Sequence, residues 1–427
     1  MTTKTTGWKT APLGELVRFA SGGTPRREAA HFWNGDIPWL SAKDLKKFRL
    51  NDSIEKVTRE GANNGTRLVE AGNVLILVRG MTLLKDVPVG VTERAVAFNQ
   101  DLKALIPNRE IDGHYLGFYL AANKFRLLAL VDQAGHGAGR LPSDLLQSFE
   151  IELPGLQEQR KIADILLTWE RAIEGAEKHI AAKSRLKRGL MRQLLAGRKR
   201  FSQFDGQQWK RVRLDEICEI NRRALSERTD PAYEFFYLDI SSVGKGSVSS
   251  PASKIRFKDA PSRARRIVRK NDILMSTVRP NLQAFARFTG EDDDVIASTG
   301  FAVITAKREV DIAFVYHSLF SDDTARQINA LIAGSNYPVV NPSQAGSLKL
   351  PLPQIDEQRR IAAVFNTCDR ELDLLRQQLA ALKRQKQGLM QKLLTGQIRN
   401  CSTACRQSRQ FFPDRREYDW KKRETRF

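Results

Sequence analysis

The side chains best placed to do chemistry in this chain are arginines and lysines in loops, and the chemistry open to them is hydrogen bonding to an anion. Motifs for bond making are missing or incomplete. Gly244-Lys245-Gly246 does not fit the Gly-x-x-x-x-Gly-Lys-Ser/Thr loop that cradles phosphates. Asn341-Pro342-Ser343-Gln344 lacks the second proline and the aromatic of an adenine-methylating motif. No His-Glu-x-x-His occurs, and Cys218, Cys368, Cys401 and Cys405 form no Cys-x-x-Cys pair with a nearby histidine, so neither zinc nor a disulfide framework is expected. The acidic run Glu291-Asp292-Asp293-Asp294 has consecutive spacing that alternates faces in an extended chain, which reads as a solvated turn.

The polar candidates cluster in a few loops. Thr24, Arg26 and Arg27 follow Ser21-Gly22-Gly23, a glycine pair suited to close backbone approach, and Lys43 lies a little beyond. Arg79 and Arg279 each follow a short apolar run, Val74 to Val78 and Ile273 to Met275. His136 and Arg140 lie in Gly135-His136-Gly137-Ala138-Gly139-Arg140, and Asn336 and Tyr337 in Gly334-Ser335-Asn336-Tyr337-Pro338. Arg222 and Arg223 complete the set. Arginine pairs with guanine and asparagine with adenine, but a single surface arginine is equally well a solvated charge. Trp33 and Trp39 are expected in the core, with stacking on a base the lesser alternative.

Charge favours a polyanion as partner. The 427 residues carry 70 Lys and Arg against 49 Asp and Glu, a net +21, and nucleic acid is the commonest partner for such an excess. Hydrophobic residues make up 41% and charged residues 28%, the composition of a folded chain with room for two to three domains. The polar start, Met1 to Lys9, predicts no secretory leader, and the longest apolar stretch, Val74 to Val78, is too short for a bilayer. A cytoplasmic protein is expected.

The elements that must position these loops are written twice. Trp8-Lys9 with Leu13, Glu15 and Leu16 reappears as Trp209-Lys210 with Leu214, Glu216 and Ile217. Leu153-Pro154-Gly155-Leu156-Gln157-Glu158-Gln159-Arg160 reappears as Leu352-Pro353-Gln354-Ile355-Asp356-Glu357-Gln358-Arg359. Gly189-Leu190-Met191 through Gly197 reappears as Gly388-Leu389-Met390 through Gly396; Arg160 and Arg359, like Gly197 and Gly396, are 199 residues apart. Residues 1–153 and 199–352 read as mixed α/β heads with short strands such as Phe235 to Ile240 and Phe301 to Thr305. Residues 154–198 and 353–397 read as long helices between a leading proline and a closing glycine. Ile361, Phe365, Cys368, Leu372, Leu375, Leu379, Leu382, Leu389 and Leu393 step by heptads, and the first copy repeats the register from Ile162 to Leu194.

Each helix of about 40 residues reaches roughly 60 Å. Two matching stripes most simply bury each other, and the short connection near 198–208 requires antiparallel pairing. The expected architecture is two mixed α/β heads separated by an antiparallel coiled-coil pair. Lys183, Lys187 and Lys386 fall on the seam; they are expected to snorkel near the helix ends, the alternative being a docking spot for another subunit's helices.

Over about residues 7–397 this organisation resembles the specificity subunits of Type I restriction–modification enzymes. The resemblance rests on Gly22-Gly23-Thr24-Pro25 with Gly35-Asp36-Ile37-Pro38-Trp39-Leu40, on the doubled Glu-Gln-Arg helix starts, and on Gly-Leu-Met-x-x-Leu-Leu-x-Gly at both helix ends. It implies that each head is a target recognition domain reading one half of a bipartite duplex DNA sequence, with a DNA-facing loop before the last strand of each head. The helices would set the unread gap and bind two adenine-methylating subunits carrying S-adenosylmethionine. Further motor and nuclease subunits would carry ATP hydrolysis, magnesium and cleavage. This chain itself would bind no cofactor and catalyse nothing. Scaffolds that match while loops differ, as Gly22-Gly23-Thr24 differs from Asn221-Arg222-Arg223, imply an asymmetric target. A structural adaptor bridging two proteins is the competing class, and it gives no reason for a charge of +21. The basic residues 398–427 depart from the family pattern and are expected to be a poorly ordered tail.

Overall fold

A computed structural model describes residues 7–133, 137–249, 251, 253–334 and 336–398. The expected tail lies, past Ile398, outside the described residues. The chain divides into two compact units: residues 1–177 with 378–427, and residues 178–377. Each unit holds one head, the first half of the helix that leaves it and the second half of the other helix.

In the first unit, strand Lys9–Pro12 pairs antiparallel with Glu150–Leu153, so the Trp-Lys segment is tied to the strand that launches the long helix. A central sheet orders Val17–Ser21, Leu102–Pro107, Val74–Leu77, Val89–Thr92 and Arg49–Leu50. A second sheet orders Glu55–Val57, Trp33–Leu40, Val96–Phe98 and Arg67–Val69, with a parallel pairing between Trp33–Leu40 and Val96–Phe98. Val74, Leu75, Ile76 and Leu77 are all fully buried, as a continuous apolar run covered on both faces must be.

The second unit repeats this plan. Lys210–Arg213 pairs with Lys349–Leu352. One sheet orders Cys218–Ile220, Phe301–Ala306, Ile273–Ser276 and Phe285–Arg287. The other orders Ile255–Arg256, Glu234–Leu238, Val295–Ser298 and Ala264–Val268, again with a parallel pairing, Glu234–Leu238 beside Val295–Ser298. The second central sheet has four strands against five, and the shared strand order and parallel pairing show one mixed α/β module present twice. Among the described residues no helix is long and apolar enough to cross a membrane.

The doubled Glu-Gln-Arg motif has a structural explanation. Gln159, fully buried, donates to the Pro154 carbonyl and accepts from the Asp112 amide at 2.8 Å; Gln358 does the same with Pro353 and the Asp311 amide at 2.9 Å. Asp112 and Asp311 in turn cap the short helices Gly113–Ala122 and Ile312–Ser318. One glutamine side chain thus fixes the start of each long helix against its own head. In the second unit the neighbouring Glu357, fully buried, accepts from Arg200 Nη2 at 2.6 Å and from Trp209 Nε1 at 2.9 Å. That contact links the Trp-Lys and Glu-Gln-Arg motifs physically. Asn341-Pro342-Ser343-Gln344 is a capping box: the Asn341 side chain accepts from the Gln344 amide while Gln344 accepts from the Asn341 amide.

The long helices span Leu156–Leu194 and Ile355–Leu394, and both end on a glycine with positive φ, Gly197 at 65° and Gly396 at 66°. In the first unit Lys386 pairs with Glu170 and Lys383 with Glu177, so rising numbers on one helix meet falling numbers on the other. In the second unit Lys183–Glu371 and Lys187–Asp369 give the same antiparallel sense. Trp169, Ile173 and Leu382 form the buried seam of the first unit. The seam lysines have partners that the sequence did not name: Lys183, Lys187 and Lys386 each carry an ion pair across the helices, to Glu371, Asp369 and Glu170.

The repeat diverges at a pair of packed positions beside the helices. Phe118, fully buried, packs under Lys386 in the first unit, and 199 residues later His317, also buried, stands beside Lys187. His317 Nε2 lies 3.0 Å from Asn366 Oδ1, and Asn366 takes the place of buried Leu167. His317 Nδ1 is buried without a hydrogen-bond partner. Burial pushes its pKa down to about 4.

Candidate nucleic-acid interface

The glycine loop of the first head is shaped by its own chain. A Cβ at Gly22 would sit 2.2 Å from the Phe98 carbonyl, and one at Gly23 would sit 2.2 Å from the Gly65 carbonyl. The close approach that selects glycine is therefore internal. Trp39 Nε1 donates to the Gly23 carbonyl at 3.0 Å and Trp33 Nε1 to the Arg26 carbonyl at 3.1 Å, so both indoles hold the loop down. Trp39 is buried in the core, as expected, and packs edge-on against Trp33. Arg27 lies over Trp33 at 4.1 Å and pairs with Glu55, whose carboxyl the guanidinium holds below its ordinary range. Thr24 donates to Gln100 Oε1 at 2.7 Å. Arg26 and Lys43 stand exposed.

Arg79 and Arg140, 61 residues apart in sequence, become direct neighbours. Three two-residue strands, Asp132–Gln133, Gly139–Arg140 and Arg79–Gly80, form a small antiparallel ladder that pairs Arg140 with Asp132 on one side and Arg79 on the other. His136 lies outside the described residues. In the second head Val278 bridges Val339, and Arg279 donates its amide to the Pro338 carbonyl at 2.8 Å. Arg279 adopts φ 48°, a strained left-handed conformation for a non-glycine residue, and corresponds to Gly80 at φ 138°. This corrects the expected Arg79–Arg279 equivalence by one residue: the counterpart of Arg79 is Val278. Asn336 and Tyr337 are exposed on the loop that faces Arg279.

The remaining pair separates. Arg222 is exposed and pairs with Glu219 at 2.8 Å. Arg223 faces inward to Asp272, which is 2–3% exposed and also accepts from the Arg269 amide and from Thr305 Oγ1. Arg223 thus neutralises a buried carboxylate. A groove of about 1200 Å³ in the second unit, lined in part by Lys187, Arg188, Arg192, Lys245 and Arg287, escaped the sequence reading because no motif joins its residues.

Comparison with known proteins decides the family. The sequence pattern described as Type I restriction modification DNA specificity domain matches residues 5–182 and again residues 206–384. The chain belongs to that family. Its two matched segments coincide with the two structural modules, each running from a head into its helix. The chain is 22% identical over 408 residues to the Type I restriction enzyme MjaVIII specificity subunit of Methanocaldococcus jannaschii, covering 92% of this chain and 93% of that protein. It is 34% identical over 161 residues to the Type I restriction enzyme EcoR124I/EcoR124II specificity subunit of Escherichia coli, a match spanning 37% of this chain and 39% of that protein. The fold is similar to the crystal structure of a Type I restriction–modification S subunit from M. genitalium, with TM-score 0.59, 16% identity and coverage of 91% and 96% of the two chains. A chain solved in a study of complex assembly in the Type I system gives TM-score 0.52 at 16% identity, covering 93% of this chain and all of that one.

Proposed function

We propose that this chain is the DNA-recognition subunit of a Type I restriction–modification complex, reading an asymmetric, interrupted target with one head per half-site. The observation that carries this reading is a single module present twice, with matched scaffolds and unmatched loops, in a chain of this family. Exposed Arg26, Lys43, Arg79, Arg140, Arg222 and Arg279, with Asn336 and Tyr337, supply the contacts to phosphates and base edges. Thr24 and Arg27 shape the loop that presents Arg26.

The chemistry belongs to partners. Two subunits carrying S-adenosylmethionine methylate adenines, and motor subunits use ATP and magnesium for cleavage, while this chain selects the site in the cytoplasm and binds no cofactor. The test is reconstitution with the neighbouring methylating subunits: adenine methylation at one two-part motif that disappears when this chain is omitted supports the reading. Methylation that proceeds without the chain overturns it.

A further inference from the structure

The two heads share one backbone pairing at this place yet differ in its side-chain chemistry. In the first head the Leu141 amide donates to the Val78 carbonyl at 2.9 Å, and in the second the Val340 amide donates to the Thr277 carbonyl at 2.9 Å. Both pairs are offset by 199 residues, so Val278 occupies the place of Arg79 and Val339 the place of Arg140. Residues in register on an antiparallel pair project to one face. Arg79 and Arg140 therefore share a face in one head, and Val278 and Val339 share it in the other.

Two features mark this face as one that a partner covers. Arg79 lies directly opposite Arg140, a like-charge pair that destabilises a ladder; Asp132, in register on the other side of Arg140, offsets part of that repulsion, and an anion placed between the guanidiniums relieves the rest. Of the ten large apolar side chains most exposed among the described residues, Val339 is in the second pairing and Met81, Leu84, Leu282 and Tyr337 lie within four residues of one of the two pairings. Apolar groups gathered in this way on loops beside charged ones are expected of a contact surface.

We propose that the ladder is the base-reading position of each head and that its occupants decide which half-site each head accepts. This rests on the DNA-recognition reading above. The Arg79–Arg140 pair reads guanine through O6 and N7, and the Val278–Val339 pair reads thymine through its 5-methyl group. The first half-site then carries G·C pairs at the ladder, and the second carries A·T pairs there.

The test uses the complex assembled with its methylating subunits. The methylated motif is first determined for the wild type, and competition binding is then measured with duplexes altered at single positions of each half. The double variant R79V/R140V is expected to lose discrimination for guanine in the first half by on the order of tenfold to hundredfold, leaving the second half and the gap unchanged. The reciprocal V278R/V339R alters the second half alone. R140K keeps the charge but not the two-pronged geometry; it is expected to relax the base choice while nonspecific duplex binding holds, which separates base reading from bulk attraction. Wild-type discrimination by R79V/R140V and by R140K overturns the proposal while leaving the DNA-recognition reading intact. A wild-type complex with no chain-dependent motif overturns the reading beneath it.

Discussion

Arg222 and Arg223 show how adjacent residues of one type separate into different roles. Removing the Arg223 guanidinium leaves the buried Asp272 carboxylate without its charge partner, and R223A is expected to cost about 3 kcal/mol in urea denaturation. R222A removes an exposed pair and is expected to change stability by less than about 0.5 kcal/mol while weakening DNA binding. Equal melting of the two variants would contradict this assignment. His317 supplies a pH signature. Its pKa falls from the ordinary 6.5 to about 4 on folding, so the unfolded chain binds the extra proton between those values. Stability is fully present above pH 6.5 and is lost as pH falls toward 4, at about 1.4 kcal/mol per pH unit for one proton. Replacing the pair by the residues of the other module, H317F with N366L, is expected to flatten that slope with no loss of stability at pH 7; thermal melting from pH 7 to 4.5 reads it directly. None of these distinctions was legible in the sequence, because which of two neighbouring arginines turns inward depends on a carboxylate 49 residues away.

The elements were far more legible than the site. Heptad spacing, the leading prolines and the closing glycines located both long helices, and the doubled Glu-Gln-Arg pointed to a shared structural duty that Gln159 and Gln358 now explain. What the apolar pattern could not supply was the partner of each seam lysine, since carboxylates such as Glu170 and Asp369 lie on the other helix. Arg279 was one residue out for a different reason: the constant offset of 199 residues already places Val278 at the position of Arg79, and the bridge Val278–Val339 agrees with it. The Lys386–Glu170 pair, half-enclosed on both sides, fixes helix register in the first unit. K386A is expected to destabilise that unit by about 2 kcal/mol by stranding Glu170, and a double-mutant cycle with E170A to give a coupling above about 1 kcal/mol. Additive effects would mean that the pair does not set register.

At the scale of the whole molecule the net charge of +21 and the doubled module carry the account. Binding to a duplex without the target is expected to fall about a thousandfold between 50 and 200 mM salt if the heads together neutralise around six phosphates. A shallow salt response would remove the electrostatic footing of DNA recognition. The central claim is that two heads read two half-sites whose gap is set by the paired helices. The most direct measurement is the adenine methylome of cells expressing this chain with its methylating partner, compared with a variant lacking seven residues from each long helix. The account predicts an interrupted, asymmetric motif whose two halves persist in the variant while the gap between them changes; a continuous motif, or a gap indifferent to the deletions, would contradict it.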